Sequence, residues 1–263
     1  NKVLSLTEGT TELELAKATW CNVYVSAREG EEYGAICGPA LARTDDGRVI
    51  VDGLTGLPAF TTENKVLGNA QWKWTGGLNT TLRYKMFTLT ALFDVKVGAD
   101  IFSMSERSSY ETGKAIETLA GRAEWYASEE ARKAAGVTSG WVATGGYLVD
   151  GVIDNGDGTY RENDIYINPE DYWMEVSRKS PELFIYDNSY IKCRELTFGV
   201  TFPKEWLDKG GVLKNVSISF VARNPFIVWK NIKDIDPDAQ YNTSGLGLEY
   251  GSLPSRRSYG LNF

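Results

Sequence analysis

Apolar and polar residues alternate one for one in several separated runs. That period of two constrains the chain more than any other feature, because it marks strands with one apolar and one polar face. From Phe87 onward, Leu89, Ala91, Phe93, Val95 and Val97 are separated by Thr88, Thr90, Leu92, Asp94 and Lys96. Just before them Leu78, Leu82 and Tyr84, with Thr80, alternate with Gly77, Asn79, Thr81 and Arg83, and only Lys85 and Met86 separate the two runs. The spacing predicts a tight antiparallel hairpin. Leu196, Phe198, Val200 and Phe202 form a further run that Pro203 ends, since proline has no amide proton for the ladder. Val216, Ile218, Phe220 and Ala222 form the next run, and Tyr259, Leu261 and Phe263 the last. Two less regular strands are expected around residues 3–6 and 20–27.

Alternation also occurs in soluble sandwiches, so the joins between runs carry the distinction. Read backward from the last run, they are long (about residues 230–256), short (203–214), very long (98–186), very short (85–86), long (about 28–74) and short (about 7–15). Consecutive joins of an up-and-down sheet fall on opposite sides, so every long join lies on one side. Outer-membrane barrels have that asymmetry, with short periplasmic turns and long external loops. Arg83, Asp94, Lys96, Glu195 and Arg223 all fall on the polar face, where a wide barrel has a hydrated or plugged lumen. Tyr84, Phe87, Tyr190, Phe202, Trp206 and Trp229 lie near strand ends, where interfacial aromatic girdles form. The runs are too few to close a wide barrel, and an unpaired strand edge is costly in hydrocarbon, so further strands must pair with them.

The 263 residues are 42% hydrophobic, yet no stretch approaches the ~18–20 consecutive apolar residues of a membrane-spanning helix. Windowed hydropathy does not detect membrane strands, whose lipid-facing and lumen-facing residues alternate. A net charge of -7 and the lack of a basic stripe argue against nucleic acid, whose phosphates require cations. The absence of histidine removes the commonest general base and a frequent metal ligand. Cys21, Cys37 and Cys193 are odd in number and widely spaced, so neither a disulfide framework nor a zinc ribbon is legible. Cys21 and Cys37 could bridge in an oxidising compartment. The chain opens Asn1-Lys2-Val3 with no basic or apolar leader, so a signal peptide has been removed or the chain begins within a longer protein.

Four stretches resemble the SusC/RagA-type TonB-dependent transporters of Bacteroidetes outer membranes. Gly68-Asn69-Ala70-Gln71-Trp72-Lys73-Trp74-Thr75-Gly76-Gly77, followed by Tyr84-Lys85 and the DVKVGADI of residues 94–101, is similar to the family's GN...WxGG...YK...D...GGDI pattern. Residues 184–202, FIYDNSYIKCRELTFGVTF, are similar to its DxSYIKLRE strand. Ala222-Arg223-Asn224 with Asp236-Pro237-Asp238 is similar to its ARN...DPE segment, and residues 247–263, opening Gly247-Leu248-Glu249-Tyr250, to its closing strand. Ala99, Trp72 and Pro225 depart from the usual glycine, proline and leucine, which bears on local loop and strand shape.

The resemblance implies an all-β fold: the C-terminal segment of a large antiparallel transmembrane β-barrel of about 22 strands. All of residues 1–263 would belong to it, with the plug domain and N-terminal strands outside this chain. It further implies import of glycans or oligosaccharides, or of peptides, across the outer membrane of a Gram-negative bacterium. The implied partners are TonB, acting through the missing N-terminal region, a SusD-like surface lipoprotein as lid, the cargo, and outer-membrane lipid. Because Gly260 stands three residues before Phe263, where such barrels commonly place a glycine five before the end, the native chain is expected to run about two residues further.

Residues 114–135 have helical composition, with Ile116, Leu119, Ala120, Ala123 and Ala127 on one face. They predict a short helix in the longest external loop, packed on the barrel rim or on a capping partner. Trp125, Tyr126, Tyr172, Trp173 and Tyr241 fall in expected external loops, where a rigid aromatic face stacks on a sugar ring or buries against a partner. Packing within the loop is the simpler use of any one of them. The oxygen-rich stretch from Asp150 to Gly158 does not fit an EF-hand, since aligning Gly158 with the invariant glycine puts Ile153 at the first ligand position, and it reads as a surface turn. The adjacent acidic pairs Glu31-Glu32, Glu129-Glu130 and Glu170-Asp171 read as solvated surface. No catalytic residue, metal ligand or cofactor is expected, and no enzymatic activity. The alternatives are a soluble carbohydrate-binding β-sandwich with aromatic loops and, behind it, a glycan-active enzyme built on paired carboxylates.

Overall fold

The computed structural model describes residues 1–19, 22–207, 216–241 and 246–263, the side chains of 240 and 241 excepted. The chain divides into two compact units. One comprises residues 1–70, 101–185 and 243–251, and the other residues 71–100, 186–242 and 252–263.

The first unit contains a four-stranded antiparallel sheet of β1 (Glu12–Ala18), β2 (Val23–Arg28), β3 (Ala35–Gly38) and β4 (Lys65–Asn69), in that order. Every residue of β3 is buried, as are Val23, Val25 and Ala27 of β2. The expected strand at residues 3–6 is absent. Val3 only exchanges backbone hydrogen bonds with the turn after β2, donating to Glu31 and accepting from Gly30, each at 2.9 Å. The strand lies instead at β1, which overlaps the stretch read as a join, because a register shift between Glu14 and Ala16 breaks the alternation that would have marked it. The second upstream strand, expected at residues 20–27, is β2, and Trp20 and Cys21 lie outside the described residues. Neither strand belongs to the sheet of the second unit. Cys37 is buried and has no disulfide partner among the described residues, and the bridge to Cys21 considered from the sequence falls outside them.

The helical content exceeds the single helix expected. Helices α1 (Met104–Glu111), α2 (Arg122–Ala134) and α3 (Pro169–Lys179) all form in the first unit. The Ser103 side chain caps α1 by accepting from the Glu106 N–H. Asn168 caps α3, Pro169 opens it, and acidic residues in its first turn and basic ones in its last complement its dipole. The helix expected over residues 114–135 begins only at Arg122. Gly121, at φ 79°, interrupts it and packs its α-carbon so close to Gly146 that a β-carbon there would lie 2.6 Å from that backbone. Ile116–Leu119 form a separate 3-10 turn, and the face expected to pack is open, with Ile116 76% and Leu119 58% exposed.

The second unit is one antiparallel sheet of long strands: β5 (Trp74–Tyr84), β6 (Phe87–Val97), β7 (Tyr190–Thr201), β8 (Ser217–Lys230) and the shorter β9 (Ser258–Asn262), in the order β9-β8-β7-β6-β5. The first four run 11, 11, 12 and 14 residues, enough for the ~9–11 of a tilted membrane strand. Lys85, at φ 52°, makes the two-residue turn between β5 and β6. The joins from β5 to β9 span residues 85–86, 98–189, 202–216 and 231–257, so short and long alternate as the sequence requires. Register puts Leu82, Leu89, Phe198, Phe220 and Leu261 in one row across the sheet, with Thr80, Ala91, Leu196, Ala222 and Tyr259 in the next. This apolar face is bare: Leu78 is 59% exposed, Leu82 63%, Phe198 46% and Leu261 60%. The opposite face carries Thr88, Thr90, Asp94 and Lys96 from β6 and Lys192, Glu195 and Thr197 from β7. Strands β5 and β9 each have one neighbour among the described residues, so the sheet is open at both edges.

Candidate functional site

The motifs that carry the family resemblance meet one another in space. One irregularity in the β7–β8 ladder explains how the central pair does so. Between Cys193 and Glu195 the register skips Arg194 against both neighbouring strands, so Arg194 and Glu195 follow one another on the polar side. Asn224, at φ 47°, and Pro225 fall in the same irregularity on β8, where a residue without an amide proton costs no ladder bond.

Lys192 is 2% exposed, and its Nζ donates to Asp238 Oδ2 at 2.5 Å, to Asp236 Oδ1 at 3.3 Å and to the Ser255 hydroxyl. Arg194 donates to Asp94 Oδ2 and to Asp238 Oδ2, each at 2.5 Å. The Tyr190 hydroxyl donates to Asp238 Oδ1 at 3.0 Å, and the Trp72 ring meets the Tyr190 ring edge-on at 5.7 Å. Tyr190 is therefore fully buried on the polar side, not a member of an aromatic girdle. Asp236 accepts from the Ser255 N–H at 2.9 Å and the Asp238 N–H at 3.0 Å. Three carboxylates thus surround two cations, and charges removed from water persist only when paired this completely. Burial opposes ionisation of Asp238, but the hydrogen bonds from Arg194 and Lys192 outweigh it and hold its carboxyl at about 2. The network ties the segment after β8 to the polar face of the sheet.

The closing motif works similarly in the first unit. The Glu249 carboxylate, 1% exposed, accepts from the Ser105 N–H at 3.0 Å, the Ser105 hydroxyl at 2.8 Å and the Ser103 hydroxyl at 2.9 Å, so it sits at the start of α1. Gly247, at φ 65°, approaches Ala70 so closely that a β-carbon would lie 2.5 Å from the alanine methyl.

Trp125, Tyr126 and Trp173 come together around an open cavity of about 210 Å³, with Tyr110, Arg122 and Glu170 also on its wall. Trp173 packs against Tyr110 at 4.9 Å and Tyr172 at 4.8 Å, and its indole N–H is buried with no acceptor among the described residues. Tyr172 itself turns into the core beside Val51, Ile153 and Val176, stacked on Tyr147 at 4.3 Å, and burial pushes its hydroxyl pKa well above the usual range. Tyr241 ends a 3-10 turn, and its side chain lies outside the described residues. Arg122 is fixed by donating to the Thr118 carbonyl at 2.7 Å and the Gly113 carbonyl at 3.0 Å. Sequence reading missed Arg122 and Tyr110, since no local pattern announces which helices will face one another. The Asp150 to Gly158 stretch forms a hairpin turn in which Asp154 and Asp157 accept from the Gly156 and Thr159 amides.

An antiparallel sheet with strands of membrane-spanning length, a bare apolar face and a charged opposite face is a segment of wall from a large transmembrane-type β-barrel. No family model matches the chain. It is 26% identical over 211 residues to TonB-dependent receptor P3 of Formosa agariphila, covering 77% of this chain and 17% of that protein. Its fold matches the RagAB peptide transporter at a TM-score of 0.58 and 14% identity, over 99% of this chain and 25% of that one. The closed-closed state of the RagAB peptide importer matches at 0.56, again over 25% of the solved chain. The chain thus spans a quarter or less of the relatives it matches. The chain is similar in sequence to part of a TonB-dependent receptor and in fold to part of the RagAB transporter.

Proposed function

We propose that this chain is the C-terminal part of an outer-membrane importer that draws oligomeric nutrients, glycans or peptides, through a plugged barrel opened by TonB, under a SusD-like lipoprotein lid. The bare apolar face of β5 to β9 supports this most directly. A soluble sandwich would cover that face with a second sheet, whereas lipid satisfies it without one. The two open edges call for the remaining strands of the same barrel, since hydrocarbon offers no hydrogen-bond partner. The mechanism is gated passage without bond chemistry, in which this segment supplies wall strands and external loops.

Deleting the gene in the source bacterium is expected to abolish growth on an oligomeric glycan or peptide as sole carbon source while sparing growth on the monomer. Unchanged growth of the deletion strain on every oligomer the parent can use would refute the reading.

A further inference from the structure

We propose that the cavity at the external end of β8, beside the start of β9, seats the phosphate-bearing headgroup of an outer-leaflet lipid. This rests on the barrel-wall reading of the sheet and adds the place and chemistry of one lipid contact. Three observations carry it.

The first is a free strand edge. Strand β9 begins at Ser258, opposite Arg223, so beyond Arg223 that edge of β8 has no strand partner among the described residues. Asn224, at φ 47°, and Pro225, which has no amide proton, interrupt the ladder there. The Asn224 side chain donates instead to the Arg256 carbonyl at 3.2 Å. An open cavity of about 530 Å³ lies along this edge, with Asn224, Phe226, Lys230 and Arg257 on its wall. A sheet edge makes a concavity that suits an anion.

The second is charge. Arg257 is exposed and makes no ion pair among the described residues. Lys230 directs its Nζ to the Lys233 carbonyl at 2.6 Å and the Ile235 carbonyl at 2.8 Å, and not to a carboxylate. The carboxylates of the adjoining ion network are matched, since Lys192 and Arg194 bind Asp94, Asp236 and Asp238, and Lys96 stands close enough to Asp94 to supply the third positive charge. Asp234 is then the one acid on the wall to set against Lys230 and Arg257, and Arg256 and Lys233, whose carbonyls meet Asn224 and Lys230, add two more cations at the rim. A guanidinium can give phosphate two parallel hydrogen bonds.

The third is place. Register sets Phe226 beside Cys193 and Phe93, and Trp229 beside Ile191 and Val95, all on the apolar face. Phe226 and Trp229 are each 44% exposed, and β8 leads into a long external join. They therefore mark the outer boundary of the lipid face, where aromatic and basic side chains meet headgroups. An acyl chain packs along Phe226 while the phosphate reaches Arg257.

The test incubates full-length protein, purified in a neutral detergent, with mixed micelles of monophosphoryl lipid A and phosphatidylcholine, and counts retained lipid by mass spectrometry of the intact complex. Lipid A should be retained in preference to phosphatidylcholine. Arg257→Gln should weaken that retention about tenfold, as expected for losing a charge-assisted hydrogen bond, at an unchanged melting temperature. Arg257→Lys, which keeps the charge, should hold part of it, and Arg48→Gln, which removes a cation from the first unit, should change nothing. Equal retention of the two lipids, or retention indifferent to Arg257→Gln, overturns the proposal. So does full displacement of lipid A by excess inorganic phosphate, which would make the ligand a free anion. Any of these failures, with a water-soluble and a lipid-dissolved reagent still labelling alternate positions of β6, removes only the headgroup site; loss of that alternation removes the wall reading and the site with it.

Discussion

Lys192→Ala is expected to destabilise the folded chain by about 3–5 kcal/mol, the range for removing one partner from a buried charge network. The lysine is almost fully buried and stands between Asp236 and Asp238, with Asp94 reached through Arg194. Without it, two cations facing three carboxylates become one, and the remaining negative charges cannot recover hydration. Removing Asp238 as well should cost less than the sum of the two single changes, because both act on one network. Arg223→Ala is the contrast: its pair with Glu195 at 3.3 Å is largely exposed, so its loss should cost under about 1 kcal/mol. The melting temperature of the full-length protein in detergent separates the two. Acid should probe the same network. Asp238, ordinarily at 3.8, is held at about 2, so its contribution is complete above about pH 4 and is lost as the pH falls toward 2.

Ala91→Lys and Leu196→Lys are expected to be the most damaging single changes in the sheet. The two positions sit opposite each other on adjacent central strands, on the apolar face and near the middle of each strand. A lysine facing lipid near the bilayer midplane costs roughly 2–4 kcal/mol, falling toward zero near the interfaces. Thr90→Lys and Thr197→Lys, one residue along on the same strands, point to the polar face, and each should cost little. The yield of folded protein in outer-membrane fractions should therefore fall for one pair and hold for the other. Equal effects from both pairs would mean that the two faces share one environment.

The sheet was legible because its strands are simple. Each of β5 to β9 keeps its period for at least five residues, and an antiparallel barrel wall needs no further signal to define its faces. Strand β1 was hidden by its bulge, and β3 by burial on both sides, which removes alternation altogether. The interruption of the expected helix at Gly121 comes from a tertiary contact, the approach to Gly146, which no local pattern records. The sites divide in the same way. Trp125, Tyr126 and Trp173 stood out as aromatics in long joins, yet their meeting depends on how three helices pack. Lys192, Arg194, Asp236 and Asp238 were already visible as motif residues. That the two motifs are the halves of one ion network, 44 residues apart for Arg194 and Asp238, becomes clear only when the bulge turns Arg194 to the polar side.

The central claim is that the bare face of this sheet meets lipid and the opposite face meets water. Single cysteines placed along β6 at Thr88, Leu89, Thr90 and Ala91, in full-length protein lacking its native cysteines and reconstituted into lipid vesicles, test it most directly with a water-soluble thiol reagent and a lipid-dissolved one. Strict alternation is expected: positions 88 and 90 label from water, and positions 89 and 91 label only from lipid. Labelling of all four from water at similar rates would contradict it.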